Sequence, residues 1–76
     1  MSKDIKRINT FFRTALKDDV DSLRERIILS QRQERIFDMF YVKKNDIGFI
    51  ADSLNVCVSV VNDELRLIRG KILRVI

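Results

Sequence analysis

The chain has 76 residues, no proline, two glycines, 46% hydrophobic and 34% charged side chains. That length makes one domain with a small core, and the composition favours helices. A single cysteine, Cys57, and no histidine exclude an internal disulfide and a zinc knuckle, and no apolar run approaches the roughly 20 residues that span a bilayer. Net charge is +4, divided as +2, 0 and +2 over residues 1–29, 30–56 and 57–76; this permits nucleic-acid binding and also serves plain solubility.

In chain order, Ile5, Ile8, Phe12, Ala15 and Leu16 recur at helical spacing behind Ser2, a candidate N-cap. Asp18 and Asp19 break the pattern and can cap a second helix carrying Val20, Leu23, Ile27 and Ile28. Ser30-Gln-Arg-Gln33 fits a capping box, in which serine and glutamine satisfy each other's free amides. Ile36, Phe37, Phe40 and Tyr41 follow on one apolar face. Lys43-Lys44-Asn45-Asp46 is turn-like, with Asn45 or Asp46 as cap for a short helix whose inner face is Ile47, Ile50, Ala51 and Leu54. The run Val56-Cys-Val-Ser-Val-Val61 has strand composition, but no second strand is available to pair it. A helix is therefore expected from Cys57 or Val58, with Val61, Leu65, Ile68 and Ile72 inward. Gly70, costing about 1 kcal/mol against alanine inside a helix, marks its end or a close crossing.

Ile50-Ala-Asp-Ser-Leu-Asn-Val56 followed by Val61 fits a helix-turn-helix over residues 46–73. Ala51 is small where a second helix crosses, Asn55 tolerates the positive φ of the turn, Val56 plugs the turn, and Val61 anchors the next helix from beneath. The N-terminal end of that helix is then exposed, the geometry that enters a major groove. Its outer face presents Ser59, Asp63 and Arg66, flanked by Val58 and Asn62. Asn62 can pair with adenine, Arg66 can reach guanine or phosphate, Asp63 can accept from a cytosine amino group, and Val58 can touch a thymine methyl. Ser59 can bond a phosphate. Lys43, Lys44, Arg32 and Arg69 are candidate contacts to the DNA backbone. Plain helical hairpins share this short turn. Cys57 reads as a small apolar filler. The aromatic residues Phe11, Phe12, Phe37, Phe40, Tyr41 and Phe49 read mainly as core. Val60 and Leu67 lie off the core stripe; with Val75 and Ile76 they are candidates for an interface with the N-terminal helix or a partner chain.

Leu29-Ser-Gln-Arg-Gln-Glu-Arg-Ile-Phe-Asp-Met-Phe-Tyr41 resembles the opening of sigma-factor region 4, and residues 46–73 resemble its helix-turn-helix; the resemblance covers about residues 20–73. LuxR-type regulator domains share this core, and small phage terminase subunits begin with a similar leucine-serine-x-x-glutamine-glutamate-arginine run. The resemblance implies promoter recognition by the helix over residues 58–69 and contact with RNA polymerase. The chain departs from it with Asn55 where the family has glycine, and with Asp63 and Glu64 where serine and arginine are common. No upstream sigma region accompanies it, so a small regulator, of phage or mobile-element type, fits better than a free-standing sigma factor.

The expectation is a single all-α domain, a bundle of four to five helices, with residues 1–19 as a helical extension and 20–73 as the region 4-like part. Its expected function is sequence-specific binding of double-stranded DNA as a transcription regulator, with RNA polymerase and a second copy of the chain as further partners. The alternative is a protein-interaction module of the same fold that docks on RNA polymerase or another regulator without binding DNA. No enzyme activity, metal or cofactor is expected, because there is no histidine, no glycine-rich phosphate loop and no activated nucleophile. The N-terminus lacks the apolar stretch of a signal peptide, which favours the cytoplasm and no membrane association.

Overall fold

A computed structural model describes residues 3–76 and is all-α: among the described residues there are five α-helices, a π-helical turn and no strand. The helices are α1 (Lys3–Thr14), α2 (Lys17–Arg26), α3 (Gln31–Phe37), α4 (Ile47–Leu54) and α5 (Val58–Leu73), with the π turn over Asp38–Val42. None of them is long and apolar enough to cross a membrane. The proposed cap Ser2 lies outside the described residues.

Contacts divide the chain into two compact units. The central unit is Leu29–Ile68; the terminal unit joins the α1–α2 stretch, as far as Ile28, to Arg69–Ile76. Helix α5 passes through the division, contributing to both.

The central unit begins with the capping box. The Ser30 hydroxyl accepts from the Gln33 amide at 3.2 Å, and the Gln33 side-chain oxygen accepts from the Ser30 amide at 3.1 Å, satisfying two of the orphan donors that open a helix. Ile36 and Phe37 are fully buried. Helix α3 then loosens into the π turn, where the Lys43 amide reaches back five residues to Asp38 O at 2.9 Å. The extra residue shifts the aromatic residues off a strict 3.6-residue stripe, and Phe40 and Tyr41 end half-buried, their rings 5.0 Å apart. Lys44 takes a left-handed φ of 60° as the chain turns. Asp46, not Asn45, caps α4, its carboxylate accepting from the Phe49 amide at 2.7 Å. Ile50 and Ala51 are buried, with Val61, Leu65 and Ile68 of α5. From Val58 on, the valine-rich run is thus helical: burial of one face of α5 outweighs strand propensity.

In the terminal unit Ile8, Leu23, Ile27 and Ile72 are buried. Helix α2 starts behind Leu16, whose amide donates to the Asp19 carboxylate at 3.0 Å; Asp19 acts from the first turn, not from the cap position. Three apolar residues expected inside are exposed: Ile5, Leu16 and Ile28. Each sits at the flank or end of a helix, where spacing alone does not decide which side meets solvent. Gly70 neither ends α5 nor marks a close crossing; it is exposed three residues before the helix end, and a Cβ there would meet nothing within 4 Å.

Candidate nucleic-acid interface

The site is built on the junction of α4 and α5. Helix α4 stops because Asn55 enters the left-handed region, at φ 57° and ψ 47°. Its amide donates to Asp52 O at 3.2 Å, and the Val56 amide to Ala51 O at 3.0 Å. That pair of bonds is a Schellman motif, which usually takes glycine at the left-handed position; asparagine is the next best choice. Val56 is half-buried behind the turn. Cys57, expected as an apolar filler, is exposed; it stands just before α5, and its carbonyl accepts from the amides of Val60 and Val61 at 3.0 and 3.3 Å. Asn55→Ala is expected to lower stability by about 1 kcal/mol, because the short polar side chain of asparagine eases the left-handed conformation and a methyl does not, while Asn55→Gly stays near wild type, its relief of Cβ strain offset by the greater entropy of the unfolded chain. Urea titration followed by circular dichroism reads both.

Beyond the turn α5 is held from beneath by Val61, Leu65 and Ile68, at most 1% exposed. Val58, Ser59, Asn62, Asp63 and Arg66 are all exposed on its other sides, so the structure presents the five candidate DNA-contacting residues of the N-terminal half of α5 together. Of the candidate backbone contacts, Arg32, Lys43 and Lys44 are exposed in the central unit. Arg69 is half-buried and belongs to the terminal unit. Of the interface candidates, Val60 is half-buried and Leu67 is 56% exposed. Val75 and Ile76 are half-buried in the terminal unit, where the Arg7 guanidinium donates to Ile76 O at 2.7 Å.

The acidic residues are where spacing was least informative. Glu64 does not stand with Asp63 on the outer face. Its carboxylate turns toward α3, accepting from Gln33 Nε2 at 3.1 Å and pairing with Arg32 at 3.7 Å. Gln33 is itself buried, so one side chain completes the α3 cap and ties α3 to α5, a role the capping-box pattern alone did not reveal. Asp63 pairs with Arg66 one turn on, at 3.8 Å, and Asp38 with Lys43 at 3.6 Å. The central unit carries five basic and six acidic side chains, a net of −1, against ten basic and five acidic, a net of +5, in the terminal unit. Compared with protein-family models, curated proteins and solved structures, the chain matches none.

Proposed function

We propose that the chain is a sequence-specific DNA-binding transcription regulator, in which α4 and α5 form a helix-turn-helix and the N-terminal half of α5 enters a major groove. The observation that carries this reading is the exposed set Val58, Ser59, Asn62 and Arg66 on a helix fixed from below and entered through a tight left-handed turn. Asn62 reads adenine, Arg66 guanine or phosphate, and Val58 a thymine methyl; Ser59 bonds a phosphate at the positive end of the helix. Glu64, facing α3, leaves Asp63 as the carboxylate of that pair on the outer face. Released from Arg66, Asp63 accepts from a cytosine amino group. Lys43, Lys44 and Arg32 hold the DNA backbone. A second copy meeting along Val60 and Leu67, two turns apart on one side of α5, gives a two-fold arrangement with paired half-sites, and RNA polymerase is the further partner of such a regulator.

With a central unit of net charge −1, the attraction that this unit supplies to DNA comes from these few placed cations. The test is a fluorescence-anisotropy titration against duplex DNA across a salt series. If Lys43, Lys44, Arg32 and Arg66 each neutralise one phosphate, the slope of log K against log salt is about −3.6. Affinity then falls on the order of 100-fold between about 50 and 200 mM salt. Absence of salt-sensitive binding even at the lowest salt overturns the reading. A second reading, a protein-interaction module docking on RNA polymerase or another regulator, draws on the exposed Phe49 and Leu67. It is favoured by capture of polymerase without any DNA shift.

A further inference from the structure

The charge surplus of the chain and the most exposed large apolar side chain among the described residues belong to the same unit, the terminal one. The terminal unit has net charge +5. Within it, Arg26, Ile27, Ile28, Lys71, Arg74 and Val75 line an open groove of about 310 Å³. Three cations and three aliphatic residues make up that lining, and among the described residues none of the lining side chains is acidic.

Ile28 is 87% exposed, more than any other large apolar side chain described. Its backbone is nevertheless held. The Ile27 amide closes α2 onto Leu23 O at 3.2 Å, and the Lys71 ammonium donates to the Ile28 carbonyl at 2.5 Å. The isoleucine is therefore displayed on a tethered segment beside Arg26 and Arg74, both exposed.

We propose that this groove docks an acidic, amphipathic protein segment, whose apolar side chains cover Ile28 and Val75 while its carboxylates meet Arg26 and Arg74. Charge complementarity selects the acidic partner, and the aliphatic floor selects a protein over a nucleic acid, since phosphates gain nothing from an isoleucine. A lipid surface calls for a broad apolar helix face, which one displayed isoleucine with a half-buried valine does not provide. Arginine at the rim favours bidentate carboxylate contacts. The inference is independent of DNA binding by α5.

The experiment uses the full chain, 15N-labelled, titrated with a synthetic helix bearing glutamate on one face and leucine on the other. Amide shifts are expected at Arg26–Ile28 and Lys71–Val75. Arg26→Glu and Arg74→Glu should each weaken binding about tenfold, and Ile28→Ser several-fold. All three residues are exposed, so thermal melting of the variants should match wild type, separating lost docking from lost folding. Equal binding of the counterpart helix with lysine in place of glutamate, or with serine in place of leucine, overturns the proposal. So do shifts confined to other residues, no shift at all, or the same amides responding to duplex DNA or to phosphatidylglycerol vesicles.

Discussion

Phe37→Ala is expected to cost about 3–5 kcal/mol, the usual range for truncating a fully buried phenylalanine. Phe37 is 0% exposed, is the largest of the fully buried side chains, and lies at the last residue of α3, where the helix gives way to the π turn. Its ring centre is 5.5 Å from that of Tyr41, so the truncation removes an aromatic pair as well as apolar burial. Ile36 beside it is also fully buried, and the aliphatic residues of a small core have little slack with which to refill a phenyl-sized void. A domain of this size has a total stability of roughly 4–11 kcal/mol, so the loss removes a large share of it and, at the lower end of that range, leaves the variant at or past its midpoint without denaturant. Urea denaturation followed by far-ultraviolet circular dichroism measures this. A midpoint within experimental error of wild type would show that the α3–π junction does not organise the core. Phe37→Leu, which keeps much of the volume, should recover most of the loss.

The same junction shows where the sequence was readable and where it was not. Local chemistry was legible. Ser30 and Gln33 signal a helix start through complementary donors and acceptors three residues apart, Asp46 does so through its carboxylate, and Asn55 signals a left-handed turn. The valine run before Val61 was resolved by the absence of any strand to pair with, and the inward stripe Val61, Leu65, Ile68, Ile72 is buried throughout. The π turn left no comparable mark, because a five-residue hydrogen bond is selected by how Phe37, Phe40 and Tyr41 pack and not by local propensity. Exposure of Ile5, Leu16 and Ile28 was likewise hidden: an apolar residue at the edge of a stripe reads the same whether or not a neighbouring element covers it. The charge pattern changed most. Cut linearly, the surplus sat at both chain ends; grouped by contacts, Arg69, Lys71 and Arg74 join the α1–α2 stretch and concentrate it in one unit. For the candidate interface, which face of α5 is presented was legible from the core stripe, whereas the direction of Glu64 depends on Gln33, 31 positions away in sequence.

That long-range pair makes Gln33→Glu a severe and diagnostic change. The new carboxylate keeps its acceptor oxygen for the Ser30 amide, since glutamate at this position is itself a capping-box residue, so the α3 start is preserved. What changes is the atom facing Glu64. A donor now 3.1 Å from the Glu64 carboxylate becomes a second negative oxygen, in surroundings where Gln33 is 6% exposed and the Glu64 side chain 19% exposed. At that separation the repulsion is about 5 kcal/mol with an effective dielectric of about 20, and at roughly 6 Å it is still about 3 kcal/mol. Arg32, 3.7 Å from Glu64 and half-exposed, offsets only part of this. The variant is expected to lose about 3 kcal/mol at neutral pH, with the deficit shrinking as pH falls toward about 4, where a proton on either carboxyl removes the repulsion and restores a donor between them. The sign follows from linkage: the folded variant binds a proton more readily than the unfolded chain, so acid favours its folded form relative to wild type. Gln33→Glu/Glu64→Gln, which exchanges donor and acceptor across the same gap, should recover most of the stability. A pH-independent deficit, or a double variant no better than the single one, would mean that Glu64 is not held against α3 and is available to stand beside Asp63 on the outer face of α5, where it would repel the phosphates that the proposed DNA contact requires.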